Sequence, residues 1–152
     1  MKKTYLISLL LVSVFYLTNC NNNEDDATPD PLQVVSPDPA TYNQWADFGY
    51  DNGFISVTIQ FDKAIDKNSV VVGETLILST STTASVDGVI TWVNDNTLTF
   101  TSTSQVGNWC SFTPDCLFTF KLIGTDTGNG EVESIDGGTL ESDVTYEFGV
   151  LG

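Results

Sequence analysis

From Leu32 onward, apolar and polar residues alternate with a period of two, the spacing of a strand with one buried face. Ile55, Val57, Ile59 and Phe61 alternate with Ser56, Thr58 and Gln60. Leu98 and Phe100 alternate with Thr97, Thr99 and Thr101, after a turn at Asn94-Asp95-Asn96 that follows Ile90 and Trp92. Phe118, Phe120 and Leu122 alternate with Thr119 and Lys121, and Val144, Tyr146, Phe148 and Val150 with Thr145 and Glu147. Leu76 and Leu78 share one face of a further strand, and Gln33 to Ser36 forms a short first one, stopped by Pro37 and Pro39. Only Asp62 to Val70 reads as helical, for about one turn. Seven short strands at regular spacing with polar turns predict an all-β domain, a β-sandwich over residues 32–152.

The first 20 residues follow another rule. Lys2 and Lys3 precede an almost continuous apolar run from Leu6 to Leu17. The run is shorter than the roughly 20 residues a membrane-spanning helix needs, and it ends in polar residues, as a secretory signal peptide does. Leu17-Thr18-Asn19-Cys20 resembles the lipobox of bacterial lipoproteins, with Asn19 where that pattern has a small residue. The resemblance implies cleavage after residue 19 and acylation of Cys20, which would moor the chain to a membrane through buried methylenes. Residues 20–31 then read as a lipidated, disordered tether rich in Asn, Asp and Pro. Its acidic run, Glu24-Asp25-Asp26, looks like the export signal that places some Gram-negative lipoproteins on the outer face of the outer membrane.

The strands also carry a resemblance. Val34-Val35-Ser36-Pro37, then Val57 to Asp66 with its Phe61-Asp62 step, are similar to the opening of the SbsA-type bacterial Ig-like domain. The hairpin Val89 to Phe100, the strand Phe118 to Ile123 with Gly124 and Asp126, and Tyr146-Glu147-Phe148 are similar to its later elements. The likeness spans about residues 32–150 and implies an Ig-like β-sandwich, an accessory and spacer module that brings no catalytic residues. Two stretches depart from it: the long aromatic loop from Pro37 to Gly53, and Asn108 to Cys116.

Composition narrows the function classes. The chain has 20 acidic residues, five lysines and neither arginine nor histidine. Cleavage before Cys20 would leave only Lys63, Lys67 and Lys121 against all 20 acids. Such a surface repels nucleic acid, whose binding rests on cationic side chains. Without histidine there is no Ser-His-Asp triad, Cys-His pair or His-containing zinc site. Without arginine there is no bidentate clamp for phosphate. Paired carboxylates for glycoside hydrolysis arise by chance among so many acids, and none stands out. The expectation is therefore a noncatalytic protein.

Three groups of residues carry candidate chemistry. Cys110 and Cys116 flank SFTPD in a chain read as exported, where disulfides persist. Three cysteines allow three pairings, and acylation of Cys20 leaves Cys110 with Cys116, a ring worth about 2–2.5 kcal/mol. Tyr42, Trp45, Phe48 and Tyr50, interleaved with Asp47 and Asp51, offer rings that either stack on sugars or fold back as a cap on the core. Asp126, Asn129, Glu131 and Asp136, among glycines, suit a calcium ion that takes about six to eight oxygens, or equally an ordinary turn. The expected function is a surface-anchored structural or protein-interaction module, with a glycan-binding accessory protein as the alternative. No cofactor is expected apart from that calcium, and the partners are the membrane, a surface protein or a glycan.

Overall fold

The computed structural model describes residues 28–43, 47–105, 117–125 and 130–149. Among the described residues eight strands run in chain order: β1 (Val34–Ser36), β2 (Phe48–Asp51), β3 (Phe54–Phe61), β4 (Leu76–Thr80), β5 (Gly88–Trp92), β6 (Thr97–Ser102), β7 (Leu117–Leu122) and β8 (Val144–Gly149). They form two antiparallel sheets. One has the order β1-β3-β6-β5, with β2 also on β3; the other is β4-β7-β8. The expected all-β sandwich is the observed architecture, with eight strands in place of about seven.

The additional strand lies in the stretch expected to be a loop. β2 pairs with β3 from Phe48↔Val57 to Asp51↔Phe54, leaving Asn52-Gly53 as the two-residue connection. Both central residues have positive φ, 52° and 89°. A two-residue hairpin loop of this kind matches the right-handed twist of its strands, and Asn-Gly is its favoured sequence. β3 is long enough for β2 to take one half of its edge while β1 takes Gln60 and Phe61 at the other end.

The segment expected to be helical forms turns instead. The Ser69 amide donates to the Asp66 carbonyl at 2.9 Å, and Ile65 makes an isolated bridge to Ser134. The Asp66 carboxylate also accepts from the Asn68 amide at 3.0 Å, a side chain-to-backbone bond that competes with helix.

Alternation places the core where the period-two pattern requires. Ile55, Val57, Ile59 and Phe61 of β3, with Leu98 and Phe100 of β6, are fully buried against Leu76, Leu78, Phe118, Phe120, Leu122, Tyr146 and Phe148 of the other sheet. Each large apolar side chain so buried contributes about 1.5–3 kcal/mol. The opposite face of the larger sheet carries no charge over the paired rows of β3, β6 and β5. Ser56, Thr101 and Val89 lie across one row, and Thr58, Thr99 and Thr91 across the next. The hydroxyls of Thr58 and Thr99 are 2.9 Å apart. Gly88 of β5 has no side chain for a packing reason: a Cβ there would collide with the ring of Phe100.

Candidate functional site

The aromatic segment, read as either a sugar platform or a cap on the core, begins with a turn built by Asp38. Its carbonyl accepts from the amides of Thr41 and Tyr42 at 3.0 and 2.9 Å, and its carboxylate from the Ala40 amide at 2.9 Å. This local network returns the chain so that Tyr42 lands on β8, 105 residues away. The Tyr42 hydroxyl donates to the Glu147 carbonyl at 3.2 Å and accepts from the Glu147 amide at 3.0 Å. Glu147 is on the edge strand of the smaller sheet, so one phenol satisfies both backbone groups of an edge residue.

The ring of Tyr42 meets Tyr146 edge-on at 5.1 Å and Phe48 edge-on at 5.8 Å. Phe48 is buried and stacks on Phe148 at 4.1 Å with parallel planes. Of the two alternatives for these rings, Phe48 takes the cap on the core, because its pairing partner Val57 faces inward. Tyr42 is half-buried beside it. Tyr50 is 39% exposed near the turn of the hairpin, opposite Ile55, and Trp45 lies outside the described residues.

Beneath this cluster the Tyr146 hydroxyl, buried, donates to the Pro37 carbonyl at 2.7 Å. Desolvation, with the nearby Asp38 charge and Tyr42 adding to it, pushes the Tyr146 phenol above its usual range. Tyr42, Tyr146, Pro37 and Asp38 therefore form one clasp between the first loop and the last strand.

Of the residues read as calcium ligands, Asp136 and Glu131 are among the described residues and lie in different places. Asp136 sits in the turn from Ser134 to Gly138, where the Ser134 hydroxyl donates to its carboxylate and Lys63 approaches at 3.3 Å. The Ser134 hydrogen bond, opposed by partial desolvation and helped by Lys63, holds the Asp136 carboxyl below its ordinary value. Glu131 lines a shallow hollow of about 520 Å³ with Asp66, Ser69, Thr75 and Glu133, and Asp136 is not part of that lining. Among the described residues no group of three or more acidic or cysteine side chains is arranged to hold a metal ion. Asp126 and Asn129 lie outside the described residues, as do Cys20, Cys110 and Cys116.

A second hollow, about 410 Å³, opens between the first and last strands, lined by Leu32, Val34, Asp38, Leu140, Glu141 and Val144. Each lysine of the described domain is ion-paired: Lys63 with Asp136, Lys67 with Asp95 and Lys121 with Asp143.

Sequence reading did not identify Glu147 and Pro37 as partners. Their bonds to Tyr42 and Tyr146 span more than a hundred residues, and no local signal marks them. In comparisons with known proteins, no family model matches the chain and no curated protein matches it either.

Proposed function

We propose that this chain is an exported lipoprotein, acylated at Cys20, whose β-sandwich is a noncatalytic structural or protein-interaction module on the outer cell surface. One observation carries the choice of module over glycan reader: the Tyr42–Glu147 clasp, backed by the Phe48–Phe148 stack, uses two of the four rings of the aromatic segment for packing. A sugar platform needs those faces open to solvent. The composition supports a noncatalytic role, because a chain without histidine lacks the usual base for nucleophilic catalysis. The uncharged hydroxyl face of the larger sheet is a second surface on which an acidic protein can meet a partner without charge repulsion.

Two measurements test this reading. Intact-mass analysis of the protein from its native host gives a diacylglyceryl-modified N-terminal Cys20, and an unmodified thiol there would remove the anchor. A polysaccharide panel leaves the intrinsic tryptophan fluorescence unchanged, whereas a saturable response abolished by Trp45→Ala would replace the module reading with the glycan reading.

A further inference from the structure

β5 closes one side of the larger sheet, and among the described residues no strand pairs with its outer edge. The amide of Val93 donates to Thr97 and that of Thr103 to the carbonyl of Asp87, both at 2.9 Å. In an antiparallel ladder the bonding positions alternate, so Val89 and Thr91 turn their backbone groups toward β6. Gly88, Ile90 and Trp92 turn theirs outward. Proteins usually blunt such an edge with proline, lysine or a bulge. β5 has none of these: its sequence is GVITW, and its register with β6 runs unbroken from Gly88↔Ser102 to Trp92↔Leu98. In a chain with a formal charge of −15, these five residues carry no charge at all.

We infer that β5 is a self-association edge, pairing antiparallel with β5 of a second copy about a two-fold axis at Ile90. The strand complements itself in that register. Ile90 faces Ile90 of the second copy, and Gly88 faces Trp92, so the outward amides and carbonyls form about six backbone bonds. The residue with no side chain lies opposite the largest ring of the strand, the pairing that protects an edge glycine. Charge fits as well. Lys67, which also pairs with Asp95, stands 5.4 Å over the Trp92 ring at one end of β5, and Asp87 precedes the other end. The two-fold therefore brings the Lys67 end of each copy to the Asp87 end of the other. Val89 faces Thr91 in a non-bonded pair, where side chains come closest, and the uncharged outer face continues across the junction.

The inference rests on the reading of the domain as an interaction module, and the test separates the two. In the full chain, the double variant Val89→Cys/Thr91→Cys should give a disulfide-linked dimer on non-reducing gels, well above the background of the native chain with its own three cysteines. Val89→Cys alone should stay near that background, because the two copies of residue 89 are then not opposite one another. Adding Ile90→Pro removes an amide on the side of β5 that no strand among the described residues pairs with, a loss tolerable on an edge. It should abolish the cross-link while circular dichroism stays that of a β protein. A double variant with native circular dichroism and no more dimer than the native chain overturns the inference. So does a cross-link that survives Ile90→Pro, or a native chain that sediments as a monomer at about 100 μM in mild detergent. A disulfide adduct of the Val89→Cys variant with a different protein would overturn self-association and leave the interaction reading standing.

Discussion

The Tyr42 hydroxyl accepts from the Glu147 amide and donates to the carbonyl of the same residue, at 3.0 and 3.2 Å. A residue at the start of the domain thus seals one position on the edge of its last strand. Two edge strands contrast in this respect: β8 is guarded by a side chain, whereas among the described residues no strand pairs with the outer edge of β5.

Tyr42→Phe keeps the ring contacts and loses both bonds. A hydrogen bond of this kind is worth about 0.5–1.5 kcal/mol net. Urea unfolding should therefore show a loss of about 1–2 kcal/mol, and hydrogen exchange should speed up at the Glu147 amide. Exchange there at the native rate would show that the clasp does not protect the edge.

Core and edge glycine substitutions should separate by mechanism. Phe120→Ala opens a cavity between the sheets and should lose about 3–5 kcal/mol. Gly88→Ala forces a methyl group into the ring of Phe100 and should lose about 1–3 kcal/mol by overpacking. Val89→Ala, on the exposed face, should stay within about 0.5 kcal/mol.

Tyr146 makes stability fall at alkaline pH. Its phenol is held above the ordinary value of 10.0, so the folded state keeps a proton that the unfolded state releases. The contribution is fully present below pH 10.0 and is lost as pH rises beyond it. Spectrophotometric titration should show one tyrosine ionising only with unfolding, and Tyr146→Phe should flatten the alkaline limb.

Asp136 acts at the other end of the scale. Its carboxyl lies below the usual 3.8 when folded, so its contribution is present above that pH and is lost as pH falls below it. Asp136→Asn should lessen the acid sensitivity of the turn from Ser134 to Gly138, read by amide chemical shifts from about pH 5 down to about pH 2.

Millimolar calcium or a chelator should leave the melting temperature unchanged, because Asp136 is engaged by Lys63 and Ser134. A calcium-dependent rise in melting temperature, lost in Glu131→Gln, would restore an ion site.

Strand identity was legible wherever one face is buried, because burial of alternate side chains leaves a period of two in the sequence. β3, β6, β7 and β8 are the plain examples, with inward positions that read Ile-Val-Ile-Phe, Leu-Phe, Phe-Phe-Leu and Tyr-Phe. β2 was hidden because only Phe48 of its four residues is buried, which leaves no alternation. Its Asn52-Gly53 turn is a chain-reversal signal that a reading by hydrophobic period passes over. The helical reading of Asp62 to Val70 failed because an Asp side chain satisfied the backbone locally and Ile65 was drawn into a bridge.

The candidate residues divide in the same way. The chain alone determined the all-β class, the inward faces of the strands and the acidic surface poor in cations, since these follow from residue type and spacing. Only the tertiary structure decided that Phe48 faces the core, that Tyr42 closes an edge, that Asp136 is taken by a lysine 73 positions away and that no strand among the described residues covers the outer edge of β5. Each of these depends on which distant segments share a sheet or an edge. Nonlocal pairing is settled by packing two faces against each other, and a local pattern of residues does not encode it.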